Sequence, residues 1–284
     1  MIREGRLERL YNDKSLDEPA GNQEGKVEIS LAGRTAVVTG GSKGVGLAVA
    51  TRFADSGADV AIVARGREGL DAALATIGAS ARGRLLAVQG DVALMPDVQR
   101  AYDETMAAFG KIDIVVNNAG VSRNAPFEQV TDAIWREDFD QKLFAAIRLT
   151  RLVWPQMKER RWGRIINTLN IGAKAPRPGG APTAVTRAAG MALTKVLAGE
   201  GGPFNILVNA LLIGFIEADQ HVRAAARNGV SLQDYMSQRS KEIPLGRPGR
   251  AEEFANLACF LASDAGSYIT GTAINVDGGL SRVV

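Results

Sequence analysis

The sequence predicts an α/β protein made of one doubly wound domain with a mostly seven-stranded parallel sheet. Three observations point there. From Gly33 onward, apolar runs of strand length recur, a stretch of helical period follows almost every one, and no composition break divides the chain. Strands that are apolar throughout, rather than alternating, belong to a sheet covered on both faces. The first is "TAVVTG" (35–40), followed by helical "GLAVATRFADSG" and then by "DVAIVAR" (59–65). A helix through "EGLDAALATIG" leads to "RLLAVQGDV" (84–92), and one through "DVQRAYDETMAAFG" leads to "IDIVVNNAG" (112–120). A long helix is expected over 132–160, then the strand "GRIINTLN" (163–170) and a helix opened by "PTAVTRAAG". "NILVNALLIG" (205–214) and "AINVDGG" (273–279) complete the set.

Composition narrows the function classes. The net charge is +3 and the pI near 9.1, but the cations do not cluster with aromatics, so no nucleic-acid partner is expected. The single cysteine, Cys259, excludes an intramolecular disulfide and reads as a core thiol within "ANLACFLAS". The single histidine, His221, excludes a zinc site built from several His and Cys. No run reaches membrane-span length, and the N-terminus lacks the apolar core of a signal peptide or anchor, so a soluble, cytoplasmic protein is expected. Residues 1–30 are charged and read as an arm, partly disordered or packed on a neighbouring subunit, with the folded domain over 31–284. A short helix around Ile2 to Tyr11 is conceivable there.

The first strand runs into "TGGSKGVG" (39–46). Gly40, Gly44 and Gly46, with Ser42, Lys43 and Val45 between them, occupy a strand-to-helix turn where missing Cβ atoms let backbone approach a pyrophosphate above a helix N-terminus. "GDV" places Asp91 and Val92 at the end of the third strand, where Asp91 can accept from an adenine amine. "NNAG" places Asn117, Ala119 and Gly120 at the end of the fourth, beside a ribose. All three turns lie at C-terminal strand ends, the edge where open α/β sheets bind ligands. Each is also a tight turn that needs Gly or Asn for its geometry, but three at one edge favour a site.

These motifs, with "GRIIN", "VNA", "IPLGRPG" (243–249), "FLASD" and "YITGTAINVDGG" (268–279), resemble the short-chain dehydrogenase/reductase family, in particular its 3-oxoacyl-reductase branch. The resemblance covers about residues 31 to 281. It implies a Rossmann domain, hydride transfer between NAD or NADP and a carbonyl or alcohol, a substrate lid at about 217–242, and a homodimer or homotetramer. Where NAD-preferring members carry an acid, this chain has Ala64 followed by Arg65, and Lys43 lies in the glycine loop. Two cations and no carboxylate favour a 2′-phosphate, hence NADP(H) over NAD(H).

Active members of the family use an Asn, a Ser, and a Tyr and Lys spaced YxxxK. On this chain those positions fall on Lys142, Asn170, Thr183 and Arg187, and no YxxxK occurs elsewhere. A threonine hydroxyl is a far weaker acid than a phenol. Arg187 stays protonated, although it can donate to ribose oxygens, and Asn170 can still hydrogen-bond a carbonyl. After the sixth strand, Ile213 precedes Gly214 where the family has Pro-Gly, and Ala218 stands at a Thr position that meets the nicotinamide amide.

The phosphate end is thus intact and the nicotinamide end altered, which implies weak catalysis or none by the family's usual route. Three readings follow. One is a structural or regulatory subunit, able to form a hetero-oligomer with an active relative. Another is an enzyme with a relocated acid or base, drawn from Lys142, His221 and Tyr235. The third is a redox-silent binding module with Lys174 and Arg177 at its rim for an anionic ligand. Each residue also has a plainer role: Lys142 as a solvated helix residue, His221 and Tyr235 as lid surface, and the basic loop as solvated.

Overall fold

The computed structural model describes residues 29–217, 225–226 and 229–284. The expected arm and its short helix, His221 and Ala218 therefore lie outside the described residues. Strands β1 (Thr35–Thr39), β2 (Asp59–Ala64), β3 (Leu85–Gln89), β4 (Ile114–Asn117), β6 (Gly163–Asn170), β8 (Ile206–Ile213) and β9 (Ala273–Val276) form the seven-stranded sheet. Their order is β3-β2-β1-β4-β6-β8-β9, and every neighbouring pair is parallel. The doubly wound fold read from the sequence is the one observed.

Successive residues of the central strands feed opposite faces, as the two-residue period of a strand requires. Ala36 and Val38, Val60 and Ile62, and Ile114 and Val116 join one core with Phe53 and Phe254. Val37, Ala61, Val63 and Val115 join the other with Val153, Met157 and Val208. The first face is covered by helices α1 (Gly44–Asp55) and α2 (Arg67–Gly78). The second is covered by α3 (Met95–Phe109) and, after α4 (Asp132–Phe139), by α5 (Ala145–Arg160) and α6 (Thr183–Gly201). Helices α7 (Leu232–Ser240) and α8 (Ala251–Ala262) complete the chain, with α8 packed on α1. Each fully buried aliphatic side chain contributes about 1.5–3 kcal/mol, so the two faces of β1, β2 and β4 are the main source of stability.

Two features that position the site were not legible in the sequence. The predicted helix over 132–160 is interrupted by a π turn, Asp140–Phe144, between α4 and α5. In addition, β5 (Asn124–Ala125) and β7 (Ala181–Pro182) pair antiparallel and tie the chain after β4 to the start of α6. At the opposite end of the sheet, Arg164 is buried and lies 4.2 Å from the Trp162 ring. Arg34 lies 3.7 Å from the same ring. Burial pushes the Arg164 guanidinium down to about 10, against the pull of Asp264. Cys259 is a buried free thiol, in keeping with the core reading. Among the described residues no helix is long and apolar enough to cross a membrane.

Candidate active site

The glycine loop occupies the turn between β1 and α1. Gly40 and Gly44 have φ of +67° and +55°, a region that side chains with a Cβ avoid. A Cβ on Gly46 would stand 2.2 Å from the Gly40 carbonyl oxygen, so the close passage of helix over turn depends on its absence. Helix α1 begins without a side-chain cap, Lys43 being its N-cap residue, and no acid lies in its first turn. Its free amides and positive dipole end suit a phosphate.

Asn118, which sequence reasoning passed over, fastens this turn to the end of β4. Its side-chain amide donates to the carbonyl oxygens of Thr39 (2.9 Å) and Gly40 (3.3 Å). The backbone N–H groups of Asn118 and Ala119 donate to Thr39 Oγ1, at 2.9 and 3.1 Å. The repeated Asn in "NNAG" was the available signal. Its neighbour Asn117 points inward and donates to Asn167 Oδ1 (2.9 Å), so it is the backbone of Asn117, not its amide, that borders the strand edge.

Beside β2 and β3 a cleft of about 570 Å³ is lined by Arg65, Arg67, Gly90, Asp91, Asp97 and Arg100 among others. Arg65 is exposed there, as is Lys43 in the loop. Asp91 Oδ1 accepts from the Ala93 N–H (3.0 Å), which shapes the turn carrying Val92. Gly214, at the end of β8, is required by packing: a Cβ would fall 2.4 Å from that of Asp277.

The other half of the site is a buried polar cluster. Lys142 lies in the π turn, Thr183 at the first position of α6, and Arg187 one helical turn later. Their residue exposures of 6%, 1% and 9% overturn the picture of Lys142 as a solvated helix residue. The Lys142 ammonium donates to Asp138 Oδ1, in a contact with full charge assistance, and to Thr183 Oγ1 at 2.8 Å. Thr186 Oγ1 donates to the second Asp138 oxygen at 2.8 Å. Arg187 donates to the Thr168 carbonyl oxygen at 2.6 Å, and its Nε is buried without a partner. A Cβ on Gly120 would stand 2.9 Å from an Arg187 nitrogen and 3.5 Å from Lys142 Cε, so both cations converge on Gly120.

Burial pushes the Lys142 ammonium down to about 8; Asp138 pulls it back up, while Arg187 and Arg123 push it lower. Burial likewise brings Arg187 down to about 10, opposed by Asp138. The Thr183 hydroxyl is also a fastener: it accepts from the Arg123 N–H at 2.9 Å and lies 3.3 Å from the Arg123 carbonyl oxygen, to which it donates.

Asn170, at the end of β6, has its Oδ1 buried without a partner among the described residues. Tyr235 packs against Phe215, with ring centroids 6.3 Å apart. Lys174 is half-buried and Arg177 exposed in the loop between β6 and β7. Asp138 and Thr186 were missed by sequence reading. The only signal was the i,i+4 spacing of Asp138 and Lys142, which is also that of a surface ion pair.

Comparison with known proteins gives a consistent picture. Residues 40–281 match a family model described as enoyl-(acyl carrier protein) reductase. The 3-oxoacyl-[acyl-carrier-protein] reductase FabG of Aquifex aeolicus is 33% identical over 254 residues, spanning 89% of this chain and 100% of the relative. That of Escherichia coli is 33% identical over 255 residues, spanning 90% and 100%. Among solved structures, L-sorbose reductase of Gluconobacter frateurii, complexed with NADPH and L-sorbose, superposes with a TM-score of 0.87. The two are 33% identical, covering 91% of this chain and 100% of that one. An NADPH-bound short-chain oxidoreductase of Pseudomonas aeruginosa, described as containing an atypical catalytic center, is 36% identical with a TM-score of 0.83. That match covers 90% of this chain and 99% of the other.

Proposed function

The chain belongs to the short-chain dehydrogenase/reductase family, and from that premise we propose that it is an NADP(H)-binding oxidoreductase in which Lys142, acting through Thr183, replaces the family's Tyr–Lys proton donor. The observation that carries the reading is the 2.8 Å hydrogen bond from Lys142 Nζ to Thr183 Oγ1 at the positions the resemblance gives to Asn and Tyr.

The residues present fit the cofactor. The cradle at Gly40 and Gly46 stays open only without side chains, and the uncapped start of α1 offers amides to the pyrophosphate. Lys43 and Arg65 would hold the 2′-phosphate, and the NADPH complexes of two structural relatives support that choice. When bound, the dinucleotide supplies or accepts the hydride.

In the direction of reduction, the Thr183 hydroxyl turns its one hydrogen from the Arg123 carbonyl oxygen to the substrate oxygen and gives it up as one Lys142 N–H proton passes to Thr183 Oγ1. One N–H bond breaks, one O–H bond forms on the product, and Lys142 is left as a neutral amine to be recharged from solvent. A lysine held at about 8 can release a proton near neutral pH far more readily than threonine alone. Arg187 and Lys142 together also favour the negative oxygen that forms as hydride arrives.

Calorimetry tests the cofactor arm. NADPH is expected to bind about 10- to 100-fold more tightly than NADH, the worth of one or two charge-assisted contacts. The double change Lys43→Ala, Arg65→Ala is expected to abolish that preference, and equal affinities in the unaltered protein would overturn it. Single-turnover oxidation of NADPH against a panel of 3-oxoacyl thioesters and ketoses tests the donor. Lys142→Met is expected to slow it by about 10²–10⁴, the usual contribution of general acid catalysis, with NADPH affinity unchanged.

A second reading, a redox-silent cofactor-binding subunit that partners an active relative, is favoured by the burial of Thr183 to 1% exposure. It requires that no member of the panel be turned over, and that a second family member co-purify from the native source.

A further inference from the structure

The Lys142 ammonium is aimed. Asp138 lies one helical turn before it, and the Asp138 carboxylate is wholly buried. That carboxylate accepts from Lys142 on one oxygen and from Thr186 on the other. Thr183 Oγ1 stands 3.5 Å from the oxygen that Lys142 uses. A lysine ammonium has three donors; Asp138 takes one, Thr183 takes a second, and one remains.

We propose that Asp138 is the positioning residue of this site, holding the Lys142 ammonium against the Thr183 hydroxyl and keeping it charged until its proton is passed on. The inference rests on the reading of Lys142 as proton donor. Asp138 has no route of its own to a substrate, being wholly buried with its two oxygens taken by Lys142 and Thr186. It acts through Lys142.

The charged groups facing Lys142 come from three elements. Asp138 belongs to α4, Arg187 to α6, and Arg123 to the segment before β5, where Arg123 is itself paired with Glu137. Of these only Asp138 favours the charged lysine, while burial, Arg187 and Arg123 all oppose it. An isosteric Asp138→Asn change removes that one favourable influence and leaves the opposing ones in place. Lys142 should then lose its proton at lower pH, and the donor should be spent before neutrality.

The test uses the full chain with ¹³C-labelled lysine and aspartate. The Lys142 signal is assigned by its loss in Lys142→Met. In the unaltered protein its titration midpoint is expected near 8. In Asp138→Asn the midpoint is expected to fall by a unit or more, and the pH limb of single-turnover NADPH oxidation should move down with it. Asp138→Glu should recover part of the shift. A Lys142 midpoint that stays in place in Asp138→Asn overturns the assignment of Asp138.

Should Asp138→Asn not fold, the unaltered protein still decides. The Asp138 carboxyl carbon must show a step at the Lys142 midpoint, and its absence overturns the pairing. Failure of the underlying reading looks different. There Lys142→Met keeps the full turnover rate, whatever the Asp138 variants do to the lysine signal.

Discussion

Asp138→Ala is expected to destabilise the protein by about 3–5 kcal/mol, the loss seen when one partner of a buried ion pair is removed. The reason is an imbalance already present. Lys142 and Arg187 are buried cations within reach of a single buried carboxylate. Alanine would leave both without a counter-charge, and Thr186 Oγ1 with only the longer bond to the Pro182 carbonyl oxygen. In a domain of this size the melting temperature should fall by roughly 10 °C. The double change Asp138→Leu, Lys142→Met should recover part of the loss, because an apolar pair of similar volume often replaces a buried ion pair at little cost, while Arg187 still lacks its counter-charge. A single variant within about 1 kcal/mol of the unaltered protein would mean that water reaches the pair and that the cluster is not the sealed unit seen here.

The second large effect is expected at the glycine loop. Gly46→Ala places a methyl carbon 2.2 Å from the Gly40 carbonyl oxygen and 2.5 Å from Asn118 Nδ2. Neither neighbour can give way cheaply. The carbonyl is backbone, and Asn118 is held by Thr39 and Gly40. The turn must open, which moves the α1 amides away from the phosphate position. NADPH affinity should fall by about 100-fold or more, since several charge-assisted contacts weaken together.

Gly44→Ala is the control. Nothing lies within 4 Å of its added carbon. Within the protein itself only its φ of +55° penalises it, a cost of about 1 kcal/mol. Urea melts and calorimetry on the pair should separate collision from backbone strain, and equal behaviour of the two variants would contradict the close passage at Gly46.

The sheet could be read from sequence because its strands are buried on both faces. A run such as "DIVVN" leaves no other economical place for its side chains. The positions of Lys142, Thr183 and Arg187 were picked out by the family resemblance, and the structure does bring the three together. The carboxylate among them was hidden by its surroundings in the chain. "REDFDQK" holds three acids, and which of them turns inward is decided by the π turn at 140–144 and by the packing of α6. Neither leaves a mark on local composition. The pairing of β5 with β7 was equally invisible, because two-residue strands carry no period.

The double grip of Thr183 on the Arg123 backbone gives residue 183 a second duty. Residue 183 is no longer only an address for a catalytic group. Its small hydroxyl is part of the architecture, holding both backbone polar groups of Arg123. A tyrosine at that position would meet Lys142 and the Arg123 backbone where the threonine hydroxyl now touches them. The size of residue 183 and the course of the chain at Arg123 are therefore bound to one another.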